Sequence, residues 1–156
     1  MKRKILVPVD LSDHSVTVLN AAKAIAGVKD EIVLLHVVLD PSRFAGFHVP
    51  HLSTETTREE LMEDARKKLD RFCSRYGSSG GACLLEFGIH FRVILNVAGR
   101  EQVNLIVIGK RQGSGAMEHL FVPGTLKHVL LGAECDVKTV PLPVESVEDL
   151  QKRARL

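Results

Sequence analysis

A short apolar run, NLIVIG over 104–109, leads into KRQGSGAM, and LKHVLL follows at 126–131. Strand, glycine-rich turn and helix follow one another in this way at the anion and phosphate sites of α/β proteins. Glycine lets the backbone come close to a ligand, and the N–H groups left open at a helix start attract negative charge. Gly109, Gly113, Gly115 and Gly124 supply that freedom, and the Thr125 hydroxyl is a further donor. Lys110 and Arg111 carry charge that would offset a phosphate. A plain strand-to-helix connection also needs a turn, so the stretch alone leaves both readings open.

Other chemistry-bearing residues are dispersed. Asp10 sits just past the first apolar run, ILVPV at 5–9. His36 interrupts IVLLHVV at 32–38 and reads as a core ring with a hydrogen-bond partner rather than as a ligand. His48 and His51 have the spacing of a metal pair, but no acidic or cysteine partner accompanies them. His14, His36, His90, His119 and His128 form no paired-histidine phosphate motif, and no general base is evident. Cys73, Cys83 and Cys135 have neither C-x-x-C nor zinc spacing, and their apolar neighbours make buried thiols the expectation.

The elements that must position these residues alternate. Strands are expected at 5–9, 32–38, 82–87, 105–108 and 136–140. The first two are apolar on both faces, as central parallel strands are. Pro8 lacks a ladder donor and is placed near the carboxyl end of the first strand. Helices are expected after each of the first four strands. One has Val18, Leu19, Ala22, Ile25 and Ala26 on its apolar face, with Ser12 as N-cap and Gly27 as stop. A long one spans 54–76, with a stripe of Leu61, Ala65, Leu69, Phe72 and Tyr76. A third buries Val93, Ile94, Val97 and Ala98, and a last one covers 124–131. The loop at 39–53 carries Phe44, Phe47, His48 and His51, and would cover a ligand, a helix or a subunit. The result is an α/β fold with a five-stranded parallel sheet and helices on both faces, whose ligands bind beyond the carboxyl ends of the strands.

The chain has 156 residues, 45% apolar and 26% charged, which suits one domain over 1–144 and a charged tail over 145–156. A net charge of +2 and few aromatics give no support to nucleic-acid binding. The basic groups at 2–4 and 152–155 read as solvated ends. No apolar run reaches the length of a membrane span, and the N-terminal run stops at Asp10, unlike a signal peptide. These features and the cysteine usage lead to an expected cytoplasmic location. The last strand, DVKTV, is polar and alternating, which suits a sheet edge that a second copy could cover.

Five segments in order resemble the universal stress protein family over 4–140: KILVPVDLS, IVLLHVV, FGIHFRVILNVA, NLIVIGKRQG and LKHVLLGAECDV. The resemblance implies a Rossmann-like three-layer sandwich with strand order 3-2-1-4-5, and a homodimer through the last strand, 136–140. It implies a stress-response and regulatory role, with ATP bound by many members and no defined catalytic set. By that resemblance Asp10 would meet the adenine or ribose end, the Val37 backbone would contact adenine, and the 109–125 loop would hold phosphates, with Mg2+ between them and Asp10. Binding would then order the 41–53 loop. The family's phosphate signature is G-x2-G-x9-G-[ST]. Gly109 fits its first position, but Gln112 stands at the second and Gly113 comes one residue late. Counting on from Gly113 reaches Pro123, which has no N–H; a gap instead makes Gly124 and Thr125 the G-[ST] pair. Three readings follow: an adenine-nucleotide-binding regulator with slow ATP hydrolysis at most, a nucleotide-free dimeric scaffold, and a weak ATPase or nucleotidyl-transfer enzyme.

Overall fold

The computed structural model describes residues 2–40, 57–78, 80–110, 124–143 and 151. Its elements are β1 (Lys4–Pro8), α1 (Asp13–Ile25), β2 (Glu31–Leu39), α2 (Arg58–Tyr76), β3 (Ala82–Gly88), α3 (His90–Arg100), β4 (Leu105–Lys110), α4 (Thr125–Gly132) and β5 (Asp136–Pro141). All strand pairs are parallel, in the order β3-β2-β1-β4-β5. This is the expected sheet.

The central strands β1, β2 and β4 are largely apolar because both of their faces are buried, whereas the edge strand β5 is polar and alternating. Ile5, Val7, Ile32, Leu34 and Val107 pack under α1 and α2 with Val18, Leu19, Ala22 and Phe72. Leu6, Val33, Leu35, Ile106 and Ile108 pack under α3 and α4 with Ile94, Val97 and Val129. Each fully buried aliphatic side chain of this kind stabilises the fold by about 1.5–3 kcal/mol. The two layers of helices follow from right-handed crossovers in a parallel sheet.

Local signals set the helix limits. Thr57 caps α2: its hydroxyl accepts from Glu60 N at 3.2 Å, and the Glu60 carboxylate accepts from Thr57 N at 3.0 Å. The helix therefore starts at Arg58, whereas the sequence reading began it at 54; residues 54–56 lie outside those described. On its solvent face Lys67 pairs with Glu63 and Lys68 with Asp64, both at i,i+4. The basic start of the chain is not simply solvated. Asp30 accepts from the Arg3 backbone at 3.0 Å, from its guanidinium at 2.9 and 2.6 Å, and from Gly27 N at 2.8 Å. Lys2 meets Glu31, and Lys4 meets Glu101.

Two of the cysteines also differ from expectation. Cys73 and Cys83 form a disulfide, and Cys135 is the half-buried free thiol. The pairing is tertiary: the α2–β3 turn brings the last turn of the helix alongside the second residue of the strand, with the Cα atoms 6.7 Å apart. Among the described residues no helix is long and apolar enough to cross a membrane.

Candidate functional site

Among the described residues the β1–β4 ladder leaves a gap at the carboxyl rim, and Pro8 accounts for it. Backbone groups alternate in direction along a strand. Val9 N donates to Leu35 O on β2, while Lys4 O accepts from Asn104 N next to β4. Even-numbered β1 residues thus face β4, and there Pro8 has no N–H to give. The β1–β4 ladder accordingly covers Ile5 and Leu6, whereas the β1–β2 ladder continues to Pro8. The strand order turns at this same place, β2 lying on one side of β1 and β4 on the other.

Alternation also fixes what flanks the gap. Leu35 O points at β1, so the Val37 amide and carbonyl point the same way, beyond the last β1–β2 pair at Leu35. Lys110 O points at β5, where it accepts from Leu142 N, so the Gly109 backbone points toward β1. A side chain at Gly109 would meet Leu142 Cδ1 at 2.9 Å and Val18 Cγ2 at 3.2 Å. Packing against α1 is therefore reason enough for that glycine, whatever it binds.

Asp10 stands at the head of β1 and is tightly oriented. Its Oδ1 accepts from Ser12 N at 3.0 Å, Ser12 Oγ at 2.6 Å and Ser15 Oγ at 2.5 Å. Asp10 N in turn donates to Ser15 Oγ at 2.9 Å. Leu11 takes a left-handed φ of 68° to close this turn. Ser12 is the N-cap residue of α1 by position, but its hydroxyl serves Asp10 and makes no side-chain cap bond. Ser15 is 4% exposed and is one of the buried polar groups of the fold.

Two histidines complete the surroundings of Asp10. His36 Nδ1 lies 2.9 Å from Val9 O, the hydrogen-bonded core ring expected of it. Burial lowers its pKa, aided by Lys68, against the opposing pull of the Val9 carbonyl and Asp10. His90, the first residue of α3, is lowered to about 4 by burial and by the neighbouring His36, with Asp10 acting the other way. The His90 ring is therefore neutral at pH 7. Among the described residues no three His, Cys, Asp or Glu side chains come together to hold a metal ion.

The start of α4 faces the same rim. Gly124 has φ +90°, a backbone that glycine adopts without strain. Its carbonyl accepts from His128 N at 3.0 Å and lies 2.7 Å from His128 Nδ1. The His128 ring stacks on Phe91 at 4.3 Å, tying α4 to α3. Thr125 is 3% exposed.

A sequence profile described as the universal stress protein family matches residues 1–141. The chain belongs to the universal stress protein family. A universal stress protein of Methanocaldococcus jannaschii is 30% identical over 144 residues, spanning 90% of this chain and 83% of its own. The solved universal stress protein UspA from Lactobacillus plantarum is 26% identical with a TM-score of 0.61, covering 88% of this chain and 97% of its own. A universal stress protein from Archaeoglobus fulgidus, solved in complex with dAMP, is 22% identical with a TM-score of 0.56, covering 88% and 96%.

Within this family fold Asp10, Val37, Gly109 and Lys110 all lie at the carboxyl ends of β1, β2 and β4, with Gly124 and Thr125 at the start of α4. Arg111, Gly113, Gly115, Pro123 and the 41–53 loop lie outside the described residues. Sequence reading missed Ser15 and the His36–His90 neighbourhood. Ser15 follows Asp10 by five residues across a left-handed turn, a spacing without a periodic signal. His36 and His90 come from different strand ends and meet only when the sheet forms.

Proposed function

We propose that this universal stress protein binds an adenine nucleotide in the crevice above β1 and acts as a regulatory protein without efficient catalysis. The observation that carries the reading is the gap created by Pro8. It leaves the backbone groups of Val37 and Gly109 directed at one space, headed by the Asp10 carboxylate. A purine edge needs alternating donors and acceptors in a plane, which the backbone of Val37 offers. A ribose diol needs an acceptor, and Asp10 offers Oδ2, since its hydrogen bonds to Ser12 and Ser15 all fall on Oδ1. Gly124 and Thr125 open a helix whose first N–H groups suit phosphate. Lys110 is exposed at the end of β4, with Arg111 and Gly113 next in sequence. The dAMP complex of the Archaeoglobus fulgidus relative supports the same choice of ligand. ATP with Mg2+ is the form we expect, the ion lying between phosphates and Asp10.

The protein is expected to work as a cytoplasmic homodimer joined along β5. This strand is a sheet edge, and the neighbouring α4 exposes Leu130 and Leu131, the latter at 77%. Among the described residues no strand covers the outer edge of β5, and an open edge with exposed leucines on the preceding helix invites a second copy. A nucleotide-free dimeric scaffold is the second reading, favoured by the shifted glycine spacing and by Pro123. Nucleotide released from the purified protein, and calorimetric titration with ATP with and without Mg2+, separate the two. Bound adenine nucleotide or micromolar affinity supports the first, and an empty protein without affinity at millimolar ATP supports the second.

A further inference from the structure

The end of the sheet opposite the crevice holds the Cys73–Cys83 pair. We propose that these cysteines are a reversible thiol–disulfide site, which staples the edge strand β3 to α2 when oxidised and releases it when reduced. Among the described residues β3 pairs with β2 alone, and all seven of its residues are half-buried. Apart from the disulfide it is held by that ladder, by packing against α2 and α3, by the Arg58 guanidinium over the Phe87 ring and by the ion pair of Glu86 with Arg100 on α3. All but the ladder lie on its faces rather than along its open edge.

The two sulfurs are brought together by contacts that do not need the bond. Lys23 Nζ donates to Tyr76 O at 2.6 Å and fixes the end of α2 to α1. Phe72 is buried in the core and its ring lies 5.0 Å from that of Tyr76, on either side of Cys73 in sequence. Gly77 N donates to Cys73 O at 2.8 Å, and Gly81 N to Ser78 O at 3.0 Å, so the turn is closed by its own backbone. The turn is also pressed against β2, since a side chain at Gly81 would lie 2.7 Å from Ile32 O. Ala82 and Cys83 then enter the ladder opposite Val33 and Leu34. A reduced protein with this scaffold presents the two thiols as neighbours. Ring closure is then intramolecular and outruns capture of either thiol by an outside one.

Both cysteines are half-buried at a sheet edge, within reach of a small thiol. Cys135 precedes β5, at the other edge of the sheet, and burial pushes its thiol pKa up, which leaves it slow to react. The exchange partner is a low-molecular-weight disulfide such as glutathione disulfide. One protein thiolate attacks a sulfur of glutathione disulfide, forms a mixed disulfide and expels a glutathione thiolate. The second protein thiolate attacks the protein sulfur of the mixed disulfide and expels the other glutathione. Two protein thiols are oxidised by two electrons, and one glutathione disulfide becomes two glutathiones. The closed bond spans a sequence separation of 10. Loop-closure entropy for a ring of that size makes the unfolding constant about a hundredfold smaller than that of the dithiol form.

The test equilibrates the full-length protein in glutathione buffers from fully reducing to fully oxidising. Acid quenching, alkylation and peptide mass mapping then count the thiols. The proposal expects a Cys73–Cys83 disulfide that rises and falls with the glutathione ratio, while Cys135 stays alkylatable. Urea unfolding of the same samples is expected to move with the disulfide fraction. In Cys73→Ser/Cys83→Ser, also unfolded in both buffers, the midpoint is expected to stay near that of the reduced wild type. Thiols at 73 and 83 that remain alkylatable in the most oxidising buffer overturn the proposal. Mixed glutathione adducts in place of the internal bond, or a bond that survives the most reducing buffer, overturn it as well.

Discussion

Mild acid should destabilise this protein through His90 before its carboxylates are protonated. The imidazole at the head of α3 is held at about 4 by burial and by His36, against an ordinary value of 6.5. An unfolded chain binds the proton near 6.5, and the folded one only near 4. The stability contributed by the neutral ring is therefore complete above about pH 6.5 and is lost as pH falls through about 4. At about 1.4 kcal/mol per pH unit, that interval corresponds to a loss of about 3 kcal/mol. His36 is lowered in the same direction and adds to it. The carboxylates of Asp30 and Asp64 act in a different window. Arg3 and Lys68 hold them below their usual range, so their contribution is present above about pH 4 and disappears only below it. Urea unfolding followed by circular dichroism, at steps between about pH 7.5 and about pH 4, isolates the histidine part when wild type is compared with His90→Gln. The stability difference between the two should change by about 3 kcal/mol across the series, the variant being the less acid-sensitive. Parallel curves would mean that His90 is not a buried neutral ring, and the reasoning would fail.

Further outcomes follow from single contacts. Ser15→Ala removes the hydroxyl that serves both the amide and the carboxylate of Asp10; urea unfolding should record a loss of about 1–3 kcal/mol, and ATP affinity should weaken with it. Gly81→Ala drives a methyl group into the Ile32 carbonyl and should cost about 1–3 kcal/mol by the same measurement. Leu131→Glu places a charge at an exposed leucine of α4, the helix that precedes β5; sedimentation should find the dimer weakened, whereas an unchanged dimer would move the interface elsewhere.

The central strands were legible because β1, β2 and β4 are buried on both faces, and continuous apolar runs such as IVLLHVV record that burial directly, whereas the strand order came from the family resemblance. Pro8 was legible as a missing donor, but its direction was not. Only the ladder contacts of Val9 and Lys4 reveal that the donor is missing on the β4 side, where the crevice lies. Asp10 could be placed at a strand end by counting residues. Its oxygens could not be assigned, since Ser12 acts on it in place of capping α1 and Ser15 reaches it through a left-handed turn. The disulfide escaped notice because spacing along a chain says nothing about a helix end lying beside a strand start. The helix start at Arg58 was equally hidden, since the Thr57–Glu60 capping box falls within a run of threonines and glutamates that offers several caps.

The most direct measurement of the central claim is calorimetric titration of ATP into wild type and Asp10→Ala, each first stripped of bound nucleotide and checked for its fold by circular dichroism. The account predicts saturable binding to wild type at micromolar concentrations and a loss of at least about tenfold in the variant, the equivalent of one charge-assisted hydrogen bond to the ribose. No binding to wild type at millimolar ATP, or equal binding to both proteins, would contradict a nucleotide site headed by Asp10.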